Sequence, residues 1–171
     1  MEPEFTNFVL DNFVIKSFYS KKGRITLALV PKGLADLLQN LLNTKVIGSG
    51  LLCGWIDEGK FIPAPHLFNF SRRCGFRYGC GVVVKPQGVK AFLYGNDVLL
   101  ASFDRFVYPV RKGDYIAVVD PGDMHVIGIG MLLADEHDIE RLAKEGRVLA
   151  VIVKNIFDLG IHIRNEELFL H

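Results

Sequence analysis

Apolar and polar positions alternate in short runs along most of this chain, broken by Gly, Pro, Asp and Asn, the pattern of short strands joined by turns. Residues 5–19, FTNFVLDNFVIKSFY, mix aromatic and β-branched residues and end at Ser20-Lys21-Lys22-Gly23, after which RITLALV alternates again. That pattern predicts a β-hairpin. Pro31-Lys32-Gly33 then leads into LADLLQNLL, where Leu34, Leu37, Leu38, Leu41 and Leu42 recur at the spacing of one helical face. A helix is expected there, with Pro31 near its first position. Lys45 to Ile56 is a glycine-interrupted apolar run, predicted as a twisted strand, and Asp57-Glu58-Gly59-Lys60 turns it into FIPAPHLF. A second hairpin follows, with Pro63 and Pro65 confined to an edge or a bulge.

Composition shifts at Asn69 to Gly81, NFSRRCGFRYGCG, where three arginines, three aromatic rings and several glycines mark a boundary. Two domains are therefore expected, residues 1–80 and 81–171. The second opens with Val82 to Phe103: three valines, a Lys85-Pro86-Gln87-Gly88 corner, a short apolar helix and another apolar run. A corner of this kind leaves backbone N–H groups at the helix start free to meet an anion. The strands YIAVVD and HVIGIGMLL follow, separated by Pro121-Gly122-Asp123. Gly128 and Gly130 fall on one strand face and predict close approach of another backbone. An acidic helix is expected over Ala134 to Glu145, then a long strand RVLAVIVKNIF carrying Lys154, the turn Asp158-Leu159-Gly160 and a last strand IHIRN. Six short strands and few helices predict a small closed or half-closed mixed β-barrel. The first half reads as an α+β domain, an antiparallel sheet with helices.

Charge adds an asymmetry to this outline. Residues 1–80 carry 10 basic and 6 acidic side chains, residues 81–171 carry 10 and 13. Neither half is polybasic, so any affinity for nucleic acid has to come from a local cluster. Half of the residues are apolar and 23% are charged, a globular composition. No apolar run is long enough to span a membrane, and MEPEF does not open a secretion signal. The three cysteines, Cys53, Cys74 and Cys80, lack the spacing of a disulfide framework or a zinc site, and reduced thiols in a cytoplasmic protein are expected.

The candidate chemistry is sparse. Lys85 and Lys90 flank the Pro-Gln-Gly corner, where a phosphate would meet two ammonium groups and the N–H groups near Gly88; two solvated lysines on an ordinary loop are the alternative. Tyr94 either stacks a base or packs beneath the barrel. Lys154 is a charge inside an apolar strand, placed at an edge or over the barrel mouth. Arg164 either meets RNA or pairs with Glu166 or Glu167. Arg72, Arg73 and Arg77, interleaved with Phe70, Phe76 and Tyr78, either stack single-stranded bases or belong to a helix end whose rings pack inward. The five histidines lack metal-ligand spacing, and Asp120, Asp123 and His125 are explained by a turn more simply than by acid-base chemistry. No catalytic constellation, metal or cofactor is expected.

The runs KPQGVKAFLYGNDVLLASFDRF, GDYIAVVDPGDMHVIGIGMLL and IVKNIFDLGIHIRNEEL resemble the PUA domain of the Nip-seven family of ribosome-biogenesis proteins of archaea and eukaryotes. FLYGN, the late DxG and the closing Arg164, Glu166 and Glu167 carry the resemblance most specifically, and a looser one reaches back through Gly54 to Cys74 into the family's pre-PUA domain. The resemblance implies a non-catalytic RNA-binding factor of large ribosomal subunit assembly and pre-rRNA processing, preferring uridine- or AU-rich RNA. It implies assembly factors and the exosome as partners, no membrane, and a cytoplasmic location, or a nucleolar one in a eukaryote. It places the RNA surface on Lys85, Gln87, Gly88, Lys90 and Tyr94, with the segment around Lys154 and Arg164. Archaeal members hold basic residues at the positions of Ala150, Val151, Lys154 and Phe157, of which only Lys154 is basic here. Two alternatives stand beside this reading: an adaptor that docks partner proteins, motivated by an exposed Phe157, and a targeting subunit of an RNA-modifying enzyme. Family members usually open with a helix rich in Glu and Lys, which the opening MEPEFTN is expected to lack or shorten.

Overall fold

Phe5, Phe8 and Val9 sit at helical spacing, and in the computed structural model they turn one face of a helix, α1 (Pro3–Asn12), towards the core. The chain divides into two units, Met1–Tyr78 and Gly79–His171, and the structure describes residues 3–19, 24–40 and 50–164. The strand expected from residue 5 therefore begins only at β1 (Phe13–Tyr19), which pairs antiparallel with β2 (Ile25–Pro31) as the predicted hairpin. Aromatic and β-branched residues favour strands, but here the burial of Phe5 and Val9 at the i, i+4 spacing decides for helix. The chain thus opens with a helix of ten residues, PEFTNFVLDN, with Glu4 as its first-turn acid and no lysine. The turn at residues 20–23 lies outside the described residues.

Pro31 ends β2, and α2 (Lys32–Asn40) starts one residue later than the sequence suggests. In α2, Ala35 is buried while Leu34 and Leu37 are exposed, so these two leucines do not lie on its covered face. Leu41, Leu42 and the start of the next run lie outside the described residues. Strands β3 (Leu51–Asp57) and β4 (Lys60–Pro63) complete a four-stranded antiparallel sheet in the order β1-β2-β3-β4, which puts Pro63 on an edge as expected. The second half of FIPAPHLF is not strand. Pro65 occupies the first turn of α3 (Pro65–Arg73), where a missing N–H is tolerated. This settles the arginine and aromatic cluster: Phe70 and Phe76 pack on Phe5, Phe8 and Phe13 with ring centroids 5.4–6.5 Å apart, and Tyr78 meets Phe68 edge-on. The rings fill the core, and Arg72 and Arg73 face solvent in the last turn of α3.

The second unit is a curled, half-closed mixed sheet of six strands, in the order β6-β10-β9-β8-β5-β7. Its strands are β5 (Gly81–Val84), β6 (Val98–Leu99), β7 (Phe103–Val107), β8 (Tyr115–Val119), β9 (Val126–Leu132) and β10 (Val151–Asp158). β5 runs parallel to β8 and antiparallel to β7, and the other neighbours are antiparallel. The expected second strand splits into β6, a single 3-10 turn at Leu100–Ser102, and β7. The described part of IHIRN, Ile161–Arg164, forms a short helix, α6, instead of a strand. Helix α4 (Pro86–Leu93) packs Phe92 onto the sheet, where Val82, Val84, Ile116, Val118, Leu132 and Ile152 complete the core. Gly128 and Gly130 admit this closure: a Cβ on Gly128 would overlap the Phe92 ring and the Phe157 carbonyl, and one on Gly130 would overlap Val153. The acidic helix α5 (Glu136–Lys144) is capped by Asp135, whose carboxylate accepts from the Asp138 N–H at 3.0 Å.

Candidate nucleic-acid interface

Helix α4 carries most of the expected RNA-binding residues, and its two ends are built differently. Lys85 is the N-cap, with Pro86 opening the first turn. Pro86 has no N–H, and the Gly88 N–H donates to the Lys85 carbonyl at 2.8 Å. Gln87, which is exposed, therefore offers the backbone donor of this turn, in place of the row of free N–H groups expected around Gly88. Gly88 itself is buried, and a Cβ there would stand 2.7 Å from the Ser102 Cβ. Its role is close packing of helix on turn. Lys85 is exposed and donates to the Ala101 carbonyl at 3.2 Å, which fixes its ammonium over the 3-10 turn. Lys90 and Tyr94 are exposed at the other end, Tyr94 as the C-cap with 74% of its surface open. Of the two readings for this tyrosine, packing beneath the barrel is excluded.

Three polar groups that sequence reasoning did not single out, Asn155, Asp97 and Asp158, meet at the C-terminal end of α4 together with Arg164, which it did. Helices end with carbonyls that have no partner within the helix. Here the Asn155 amide donates to the carbonyls of Phe92 at 3.1 Å and Asn96 at 3.3 Å, and to Asp158 at 3.2 Å. The Asn155 N–H donates to Asp97 at 2.7 Å. Arg164 donates to the Leu93 carbonyl and forms a two-pronged pair with Asp158, at 2.8 and 3.0 Å. Asp158 is only 4% exposed, and its carboxylate holds the Arg164 guanidinium above its ordinary pKa. The partner of Arg164 is thus Asp158, and it acts as a clasp on α4. Glu166 and Glu167 lie outside the described residues. One signal was available in the sequence: Asn155 and Asp158 are polar residues in a largely apolar strand, nine and six residues before Arg164.

Lys154 is exposed on β10, just past Val153, where the short strand β6 ends its pairing. The amide of the neighbouring Asn155 bonds the end of α4, and successive strand residues point to opposite faces, so the exposed Lys154 side chain leaves β10 on the other face from that amide. The structure therefore places Lys90, Tyr94 and Arg164 at one end of α4 and Lys85, Gln87 and Gly88 at the other, and does not bring Lys154 into either group. Nine residues separate Lys85 from Tyr94, about 13 Å along a helix. The Phe157 expected to be exposed is half-buried, and Ile156 and Val151 are the apolar residues that β10 turns outward. From Lys154 to Phe157 the strand alternates, so Ile156 shares the exposed face of Lys154 and Phe157 falls on the other face with Asn155.

Other concentrations of chemistry have structural explanations. Asp120 accepts from the Gly122 N–H at 2.8 Å and Asp123 from the His125 N–H at 2.9 Å, both as turn-building carboxylates. In the first unit an apolar cavity of about 160 Å³ is lined by Phe5, Val9, Leu10, Ile15, Phe61 and Cys53 among others. Burial pushes the Cys53 thiol up to about 11, so it is protonated at neutral pH. Among the described residues no group of His, Cys, Asp and Glu is placed to hold a metal, and no helix is long and apolar enough to cross a membrane.

Solved structures share this architecture at low sequence identity. A conserved PUA domain protein of Thermoplasma acidophilum superposes with a TM-score of 0.58 at 16% identity, over 92% of this chain and 89% of that one. A hypothetical protein of Pyrococcus horikoshii gives 0.55 at 16% identity, over 85% of this chain and 73% of that one. A PUA domain of Aeropyrum pernix, solved with tartrate, gives 0.55 at 13% identity, over 94% of this chain and 84% of that one. No curated protein matches the chain significantly. The model of the UPF0113 PUA domain matches residues 80–167, which takes in every strand of the half-barrel, helix α4 and its clasp. The PUA domain is an RNA-binding fold, and by this match the chain belongs to the UPF0113 PUA domain family.

Proposed function

We propose that this protein is a non-catalytic RNA-binding factor of large ribosomal subunit assembly and pre-rRNA processing, as in the Nip-seven family that its sequence resembles. It binds uridine- or AU-rich single strands along α4 and acts beside assembly factors, with the exosome among its partners. Its place is the cytoplasm in an archaeal setting and the nucleolus in a eukaryotic one. The observation that carries this reading is the helix of the RNA-binding fold itself: Lys85 at its N-cap and Tyr94 at its C-cap are both exposed, with Lys90 between them. Phosphates meet the lysines and the first-turn N–H, and a splayed base stacks on the tyrosine ring.

Filter binding to uridine-rich and cytidine-rich strands at two salt concentrations tests it. With three lysines engaged, log K falls with log salt at a slope of about −2. Replacing Lys85, Lys90 and Lys154 together by Ala removes most of that slope; unchanged affinity in the triple variant counts against direct RNA binding. The exposed Ile156 and Val151 on β10 favour a second reading, an adaptor that reaches RNA through partner proteins. RNA recovered from native extract only in company with partner proteins, and not bound by the purified chain, supports that reading.

A further inference from the structure

A second, unassigned surface adjoins the Lys85 end of α4. Leu149 is 74% exposed and Val148 half-exposed, in a loop that leads from α5 into β10. Exposed leucines on slack loops are unremarkable, but this loop is pinned on both sides. The Arg147 N–H donates to the Leu142 carbonyl at 2.9 Å, the Ala101 N–H to the Val148 carbonyl at 2.8 Å, and the Leu100 N–H to the Ala150 carbonyl at 2.9 Å. Residues Gly146 to Ala150 line an open concavity. The residue that ties the loop down is also the one that holds Lys85: Ala101 donates its N–H to Val148 and accepts the Lys85 ammonium on its carbonyl. The two surfaces are therefore one residue apart.

Charge indicates the occupant. Arg147, next to Val148, and Lys85, joined to the loop through Ala101, are exposed, as is Lys144 at the end of α5, against Glu145, which stands 3.8 Å from Arg147 with both side chains open to solvent, and Glu140, one turn before Lys144. Such an excess of cations around a rigid apolar knob suits a polyanion with apolar flat faces. Leucine is among the side chains that wedge between bases in architectural DNA-binding proteins.

We infer that the Arg147–Leu149 loop continues the nucleic-acid track beyond α4: a single strand leaving Lys85 places its next phosphate at Arg147 and a base against Leu149. This rests on the RNA-binding reading above. The test uses the full chain and fluorescence anisotropy with labelled oligouridines of about 4 and about 12 nucleotides, the range of single-strand site sizes. Leu149→Asp, a change at an exposed position checked by circular dichroism for an unaltered fold, weakens the long oligomer about tenfold and leaves the short one unchanged. Arg147→Ala lowers the salt dependence of the long oligomer alone. In the unmodified protein, 4-thiouridine within the long oligomer crosslinks to the peptide containing Leu149. Equal affinity of Leu149→Asp and the unmodified chain for the long oligomer overturns the inference while the RNA-binding reading stands, and leaves the knob to a protein contact. Failure of the unmodified chain to bind either oligomer overturns both.

Discussion

Asp158 is the residue on which the interface geometry depends most, although it is buried away from any ligand. It receives both prongs of Arg164 and the amide of Asn155, and through them the last carbonyls of α4 find donors. Asp158→Ala removes a buried, charge-assisted centre and is expected to cost about 2 kcal/mol of stability, read from urea unfolding. A second carboxylate, Asp138, couples the fold to pH. It accepts from Lys112 at 3.0 Å and from Arg141 at 2.6 Å. The Lys112 hydrogen bond, more than any other contact, holds its pKa below the ordinary 3.8. A folded-state value below the unfolded one means that the contribution is full above about pH 4 and is lost as pH falls through the depressed value. Asp138→Asn is expected to flatten the acid side of the stability profile below about pH 4, measured by denaturant unfolding across that range, and to leave the neutral side parallel to that of the unmodified chain.

At the scale of elements, α4 shows where local pattern and packing part company. Lys85-Pro86-Gln87-Gly88 announces a strand-to-helix corner, and a helix begins there. The glycine, however, answers to Ser102 on the neighbouring turn, a contact fourteen residues away in sequence that no local pattern encodes. Gly88→Ala gains about 1 kcal/mol of helix propensity but forces a Cβ to 2.7 Å from Ser102, an overpacking that costs 1–3 kcal/mol by the usual range. A net loss of about 1 kcal/mol is expected from urea unfolding, with a matching loss of RNA affinity because both lysine-bearing ends of the helix shift. The same contrast explains α1: its side-chain types favour strand, and burial of Phe5 and Val9 outweighs them. IHIRN fails as a strand for a related reason, since the clasp places Arg164 one turn after Gly160, with its N–H donating to the Gly160 carbonyl at 3.0 Å.

For the whole molecule, two units with separate cores follow from the two sets of buried residues. Phe5, Val9, Leu29, Cys53 and Leu67 form one; Val82, Phe92, Ile116, Leu132 and Ile152 belong to the other. Every residue proposed to meet RNA is in the second. A chain consisting of residues 79–171 alone is therefore expected to fold, with a cooperative thermal transition in circular dichroism, and to bind oligouridine within about threefold of the full chain. Loss of binding in a folded fragment assigns the first unit a share in the interface. Residues 81–171 carry 10 basic against 13 acidic side chains, so binding has to rely on placed groups, with little help from long-range attraction.

By itself the sequence determined the mixed half-barrel, the hairpin of β1 and β2, the helix after Pro86 and the resemblance to a PUA domain. These depend on local alternation, on turn residues and on motifs read along the chain. It also drew attention to Lys85, Lys90, Tyr94 and Lys154, because charges and rings beside or within apolar elements stand out. Tertiary structure alone decided that Arg164 clasps the Leu93 carbonyl at the end of α4, and that Val148 and Leu149 adjoin Lys85 through Ala101. Each is a contact between segments distant in sequence, set by how the sheet curls and which elements it brings together, and neither composition nor spacing carries that information.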